Sequence, residues 1–294
     1  MISMANTHNS FLQFRKNIDI GDTKLNRLKS AEIAVRNQLE KYFSNHPTFK
    51  IHHFKVQGSK SLGTLIHKRN ESVDIDLGVY FYPKPQIASK TLMNHVYKAL
   101  HGLRTHTAPV HKNKCIRVIY SESVKIHLDV PVFFLEKLSG DRNPHLATKN
   151  GWIPSNVTEF DKWFAEKRRK NPQLIQIVRY LKSWVNHQTH EMPNGVIITV
   201  LVANNYCKNE RDDVALLEIL INIRRSLSEN FTCEMPAMPY DDLLMKIAKS
   251  KQKTKDFLSS LDAMIQDGTQ AVNVRKIDVA NSIWKKHLGI KFGL

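Results

Sequence analysis

The chain reads Gln57-Gly58-Ser59-Lys60-Ser61-Leu62-Gly63-Thr64 and then Val73-Asp74-Ile75-Asp76-Leu77-Gly78-Val79-Tyr80. The second stretch alternates apolar and polar residues, with Ile75, Leu77 and Val79 on one face, the period of a half-buried strand. Asp74 and Asp76 therefore leave the strand on the same side. Residues 52–57 alternate around Phe54 and Val56 and predict a strand, followed by a short helix over residues 59–68. A glycine at 58 lets a phosphate approach the backbone. A helix start there offers N–H groups and a positive dipole end. Two carboxylates so close repel each other, and a divalent cation between them offsets the repulsion. Mg²⁺ takes carboxylate oxygens together with substrate phosphates. A third carboxylate lies in Ile126-His127-Leu128-Asp129-Val130-Pro131. If that strand pairs beside the first, Asp129 completes a three-carboxylate, two-metal site. One metal would activate a ribose hydroxyl toward an α-phosphate, and the other would stabilise the leaving pyrophosphate. Asp74 and Asp76 would hold both ions, and Asp129 would serve the hydroxyl-activating one and help take its proton.

Outward from this core, the pattern stays mixed as far as residue 134. Residues 24–43 set Leu25, Leu28, Ile33, Leu39 and Phe43 on one broad stripe and predict a helix, with Asp22 or Thr23 as its cap. Residues 89–100 predict a helix, and residues 116–120 and 124–134 predict strands. Beyond Phe134 only helices are expected. They cover residues 158–170, 195–207, 213–227, 240–248, 254–265 and 274–288. One more runs to about residue 186 from a start at Asn171-Pro172, a cap followed by proline at the first helical position. Residues 1–23 are too irregular to assign. The expected class is α+β, with a first domain over residues 1–155 and a helical domain over 156–294.

The 294 residues carry a formal net charge of +17, which favours anionic partners. No acidic residue occurs between Leu77 and Ser121, a stretch that holds Lys84, Lys90, Lys98, Arg104, Lys112, Lys114 and Arg117. Further cations gather between Lys162 and Lys182 and between Lys246 and Lys255. Charge of this kind fits a phosphate-binding surface or a solvated face and names no ligand. No apolar run is long enough to span a membrane. The first residues lack a basic-then-apolar leader pattern, so no secretory signal is expected. Cys115, Cys207 and Cys233 are widely spaced and suggest a reducing compartment rather than a disulfide scaffold. No Gly-x-Ser-x-Gly elbow surrounds Ser59, and Gly58 to Thr64 lacks the Lys-Ser/Thr of a Walker A loop. His127, two residues before Asp129 on the same strand face, reads as a packing histidine.

The ordered combination of strand, Gly58-Ser59 turn, helix, Asp74-Ile75-Asp76 strand and Asp129 strand resembles the nucleotidyltransferase superfamily of the DNA polymerase β type. Within it, the chain resembles the cGAS/DncV-like nucleotidyltransferases (CD-NTases), the bacterial cyclic oligonucleotide synthases. Supporting likenesses are Gly151-Trp152, Trp163-Phe164, Arg179-Tyr180-Leu181-Lys182-Ser183-Trp184, and the closing helix with Trp284, His287-Leu288-Gly289 and Phe292. The resemblance implies a polymerase-β-like core packed against a helical domain, with the active site in the cleft between them. It also implies two Mg²⁺ ions (or Mn²⁺) and nucleoside triphosphate substrates, ATP or GTP above all. Successive 3′-hydroxyl attacks would yield a cyclic di- or trinucleotide, a second messenger that switches on an effector in anti-phage (CBASS) defence. The compartment implied is the bacterial cytoplasm. By resemblance, Gly58 and Ser59 match the phosphate-binding turn, Asp74, Asp76 and Asp129 the metal carboxylates, and Lys182 a lysine that reaches a nucleotide phosphate. Where many members carry Pro-Ser before the next helix, this chain has Pro193-Asn194, so Asn194 takes the phosphate-contacting position. Two other readings stand beside this one. One is an enzyme that adds nucleotides to RNA or to a protein hydroxyl. The other is an inactive nucleic-acid sensor, against which the three carboxylates argue. RNA or another nucleic acid as an activator of the synthase also fits the charge.

Overall fold

The structure, a computed structural model, describes residues 4–67, 72–105, 107–121, 126–138 and 143–293. The alternation of Val73–Phe81 becomes strand β2, the middle of a mixed sheet, with β1 (Ile51–Gln57) antiparallel along one edge of it. Along the other edge, β5 (Ile126–Val130) and β6 (Val132–Phe134) follow one another, both parallel to β2. The sequence predicts one strand here. Pro131 has no N–H for the ladder and divides it, while its carbonyl still accepts from the Val79 N–H at 3.0 Å. Residues 124 and 125 of the expected strand lie outside the described residues. β3 (Val110–His111) and β4 (Ile116–Ser121) extend the sheet beyond β5, and β7 (His145–Thr148) and β8 (Gly151–Pro154) extend it beyond β6.

The β7–β8 hairpin corrects the expectation that no strand follows Phe134. Its strands are four residues each, too short to show a period. They are secured by contacts the sequence does not display. Phe134 stacks on His145 with centroids 4.7 Å apart, and Trp152 meets Phe134 edge-on.

Helices α2 (Asp22–Ser44) and α4 (Ser89–Leu100) cover one face of the sheet. Leu28, Val35, Leu39, Leu92, Val96 and Leu100 pack there against Ile75, Leu77 and Val79. Gly21, not Asp22 or Thr23, takes the cap position of α2 at φ 68°, so Asp22 becomes its first helical residue, where a negative charge suits the dipole. The opposite face of β2 carries Asp74, Asp76 and Tyr80. The short helix α3 (Gly58–Leu62) follows β1 and ends early, because Gly63 turns left-handed at φ 74°. Lys68, in the longer helix expected here, lies outside the described residues.

The second half is helical: α5 (Val157–Lys170), α6 (Leu174–His187), α7 (Gly195–Asn204), α8 (Asp212–Glu229), α9 (Met245–Ala248), α10 (Lys251–Asn273) and α11 (Ile277–Leu288). Helix α6 starts three residues after Asn171, whose carbonyl instead accepts from Leu174 in a turn. The helix expected over 240–248 shrinks to α9. Asp242 receives the N–H groups of Cys233 and Leu244, and Tyr240 stands at φ 59°, so the chain before α9 is an ordered loop.

The N-terminal segment holds helix α1 (His8–Asn17), which no cap or first-turn acid announces. Its Phe11 and Phe14 join the helical core with Tyr180, Trp184, Trp284 and Phe292, not the sheet core. Thr7 anchors it by donating its N–H and hydroxyl to buried Asp213 at 3.1 and 2.7 Å. Residues 5–18 thus pack with the helical half, although the sequence reading groups them with residues up to 155.

Candidate active site

Strand register builds the site. Gln57 on β1 lies opposite Asp76 on β2, Asp76 beside Asp129 on β5, and Asp129 opposite Arg117 on β4. Four strands thus carry one lateral row, Gln57–Asp76–Asp129–Arg117. Asp74 and His127 form the adjacent pair, two residues along and on the same face. The alternation that buries Val73, Ile75 and Leu77 in the sheet core sends the carboxylates to the other side.

The side chains of the row are engaged. Arg117 forks onto Asp129, with Nε to Oδ1 and Nη2 to Oδ2 both at 2.7 Å, and its Nη2 lies 3.5 Å from Asp74 Oδ2. His127 Nδ1 hydrogen-bonds with Asp74 Oδ1 at 2.9 Å. Hydrogen bonding to Asp129 outweighs burial and holds the Arg117 guanidinium above its already high pKa. The neighbouring Cys115 thiol is pushed up to about 12, first by burial and then by the charge of Asp129. It stays a neutral thiol beside the carboxylates. Gln57 donates its amide N–H to Tyr80 Oη at 2.8 Å, which orients it at the start of the turn.

Gly58 supplies the close approach. Its φ is 65°, and a Cβ there would run into the Asp76 carboxylate. Only glycine brings the turn this near the row. With a five-residue α3, little macrodipole is available, so the N–H groups of the turn itself are what an anion would meet.

All seven sequence-predicted site residues reach one cavity of about 590 Å³: Gly58, Ser59, Asp74, Asp76, Asp129, Lys182 and Asn194. Its walls come from both halves, since Asn156, Phe160, Thr199, Met238 and Asp241 also line it. The helical half grips the turn through Lys182 Nζ to the Thr64 carbonyl at 2.7 Å and Arg168 Nη1 to the Leu62 carbonyl at 3.2 Å. Lys55 on β1 bridges to Asp161 on α5 at 2.9 Å. Gly195 makes room for Lys182, whose Cε would lie 3.1 Å from a Cβ at that position. Asn194 caps α7, its Oδ1 accepting from the Val196 and Ile197 N–H groups at 3.0 and 3.2 Å. Its –NH₂ is then the part suited to an anion.

Whether the row suits a divalent ion follows from its donors. Three carboxylates on rigid strands, at the floor of a cavity and beside a phosphate-accessible glycine, match the all-oxygen preference of Mg²⁺. Among the described residues, no three or more Asp, Glu, His or Cys side chains already encircle a common point. Asp129 is turned onto Arg117. The row therefore fits the ions in donor type and position, and Arg117 is the group to be reckoned with.

Residues 52–133 match the family model described as Cyclic GMP-AMP synthase DncV-like, nucleotidyltransferase domain. Over this span the chain is similar to a DncV-like nucleotidyltransferase domain. The matched span includes Gly58, Ser59 and all three carboxylates. The likeness to solved structures runs over the whole chain. The Vibrio cholerae DncV cyclic AMP-GMP synthase in complex with the linear intermediate 5′ pppA(3′,5′)pG superposes with a TM-score of 0.86 at 17% identity, covering 99% of this chain and 98% of that one. A mutant of the Vibrio cholerae enzyme in complex with ATP, GTP and 5MTHFGLU2 gives 0.85 at 16% identity, covering 99% and 98%. The Bradyrhizobium diazoefficiens CD-NTase CdnG in complex with GTP gives 0.75 at 14% identity, covering 95% and 98%. This chain thus has the α+β fold of the CD-NTases throughout.

Within residues 52–133, sequence reasoning missed two residues. Arg117 reads as one more surface cation until the β4–β5 register sets it against Asp129. His127 reads as packing, yet its ring is bound to Asp74; its i−2 spacing from Asp129 was the available signal.

Proposed function

We propose that this chain is a nucleotidyltransferase that makes a cyclic di- or trinucleotide from nucleoside triphosphates, ATP and GTP being the preferred candidates. The observation that carries this reading is the row Asp76–Asp129 with Asp74, facing a cavity walled by both halves. The whole-chain likeness to a synthase in complex with its linear intermediate supports it.

The chain's own residues divide the work. Gly58 and Ser59 offer the turn to a triphosphate, with Lys182 and the Asn194 amide lining the same cavity. A phosphate here meets backbone N–H groups and a lysine that is already positioned, so little reorganisation is needed. Asp74, Asp76 and Asp129 would hold two Mg²⁺ or Mn²⁺ ions. When bound, these supply an activated 3′-hydroxyl and charge stabilisation of the leaving pyrophosphate. The attacking oxygen forms the phosphodiester bond at the α-phosphorus, the bond to the bridging oxygen breaks, and pyrophosphate leaves with its electrons. The hydroxyl proton passes to Asp129 or to solvent. The cavity orients the linear product for a second attack of the same kind, which closes the ring.

The product would act as a second messenger on an effector in anti-phage defence of the CBASS kind. We place the division between the nucleotidyltransferase core and the helical domain near residues 155–156, with the first helix packed on the latter. No helix among the described residues is long and apolar enough to cross a membrane.

The test is mass spectrometry of products from the purified chain with Mg²⁺ and all four nucleoside triphosphates, before and after phosphatase. A phosphatase-resistant cyclic product is expected. Transfer of label only to added RNA or protein would overturn the cyclase reading and support terminal transfer instead.

A further inference from the structure

We propose that Arg117 is a built-in counter-cation of the carboxylate row, so that divalent ions enter this site together with a nucleoside triphosphate and bind weakly alone. The inference rests on the reading of Asp74, Asp76 and Asp129 as metal carboxylates. It goes beyond that reading by giving Arg117 control over when the site fills.

The geometry is specific. One guanidinium makes a two-point fork to Asp129 and reaches toward Asp74, so it spans two of the three carboxylates. Register sets it there: Arg117 and Asp129 are direct cross-strand partners in the β4–β5 pair. The Arg117 side chain is only 23% exposed, so it is not a mobile surface arginine that meets a carboxylate by chance.

The chemistry gives the arrangement a consequence. A guanidinium does not shed its proton in a protein, whereas a lysine or histidine in this place could turn neutral. A dication sharing the oxygens of Asp129 and Asp74 therefore meets a full positive charge in a half-buried site, where like charges repel strongly. Among the described residues, Lys114 and Lys182 also line the cavity. A triphosphate reverses this balance. It brings negative charge to the same cavity, and phosphate oxygens are the other natural partner of an arginine fork. The ion and the triphosphate then stabilise one another's binding, a positive coupling that is reciprocal by linkage. The alternative role for Arg117, that of a brace that merely points Asp129 at the ions, predicts the opposite effect of removing it.

The test is Mn²⁺ binding followed by the loss of its free electron paramagnetic resonance signal. It uses the full chain and the variants Arg117→Gln and Arg117→Lys, with folding checked by circular dichroism. Without nucleotide, Arg117→Gln should bind Mn²⁺ about tenfold or more tighter than the wild type, and Arg117→Lys, which keeps the charge, should stay close to the wild type. Adding a non-hydrolysable ATP analogue, with its own Mn²⁺ binding subtracted, should tighten binding to the wild type by a similar factor and to Arg117→Gln by less. Equal or weaker Mn²⁺ binding by Arg117→Gln would overturn the proposal and assign Arg117 the bracing role. If Arg117→Gln does not fold, tight Mn²⁺ binding by the wild type without nucleotide would overturn it equally. Asp129→Asn separates the two layers. If it leaves Mn²⁺ binding unchanged with and without the analogue, the metal-site reading fails. If it abolishes binding while Arg117→Gln binds no tighter, only the counter-cation fails.

Discussion

Asp74 and Asp76 do different things although they sit two residues apart on one strand. Asp74 is held by His127 and approached by Arg117, whereas Asp76 stands beside Asp129 and under Gly58. Neither side chain contributes to the apolar core, so Asp74→Ala and Asp76→Ala should abolish nucleotide synthesis while changing stability by about 1 kcal/mol or less. Product analysis together with a thermal melt checks this; wild-type turnover in either variant would remove the carboxylate from the chemistry. At this scale the sequence was informative where a residue's role depends on its own strand. The two-residue spacing of the aspartates declares a shared face directly. Arg117 was illegible because its role depends on which residue faces it across a hairpin, and no local pattern encodes a partner 12 residues away.

Elements show the same division. Strand β2 and helix α4 were legible because a long, regular alternation or stripe outvotes other preferences. Helix α1 and the β7–β8 hairpin were not, since tertiary contacts rather than local propensity support them. Helix α7 offers a test of a residue with two roles. Asn194→Ala should cost about 1 kcal/mol through loss of the cap, whereas Asn194→Ser keeps a capping oxygen and should be near neutral. If both variants also weaken the apparent affinity for triphosphate equally, the amide rather than the cap meets the phosphate; if only the alanine variant does, the cap suffices. The anchor of α1 makes a prediction in pH. Burial would raise the Asp213 pKa, but hydrogen bonds from Arg211 and Thr7 prevail and hold it below the ordinary carboxylate value. A depressed folded pKa stabilises the protein above the unfolded value, about 3.9, and that contribution is lost as pH falls through the lower folded value. The difference in melting temperature between the wild type and Asp213→Asn should therefore be full at neutral pH and shrink below about pH 4. A difference independent of pH would mean the carboxylate charge is not what anchors the segment.

On the scale of the whole molecule, residues of both halves line one cavity, and the candidate site lies there. The change from mixed to helical structure is legible in the sequence, whereas the cleft between the halves is what the resemblance implies. The sequence did not show that residues 5–18 cross to the helical half, because a ten-residue helix carries no sign of what it packs against. The net charge of +17 belongs to this scale too. If RNA activates the enzyme through that charge, the rate at fixed nucleotide should rise on adding RNA, and the gain should fade steeply with salt. An unchanged rate would confine the basic surface to other work. The central claim is that Asp129, from a strand distant in the chain, joins Asp74 and Asp76 around divalent ions. Anomalous scattering from crystals grown with Mn²⁺ and a non-hydrolysable triphosphate tests it directly. The account predicts peaks bounded by residues 74, 76 and 129 with the triphosphate against the Gly58 turn; peaks elsewhere, with Asp129 bound to no ion, would contradict it.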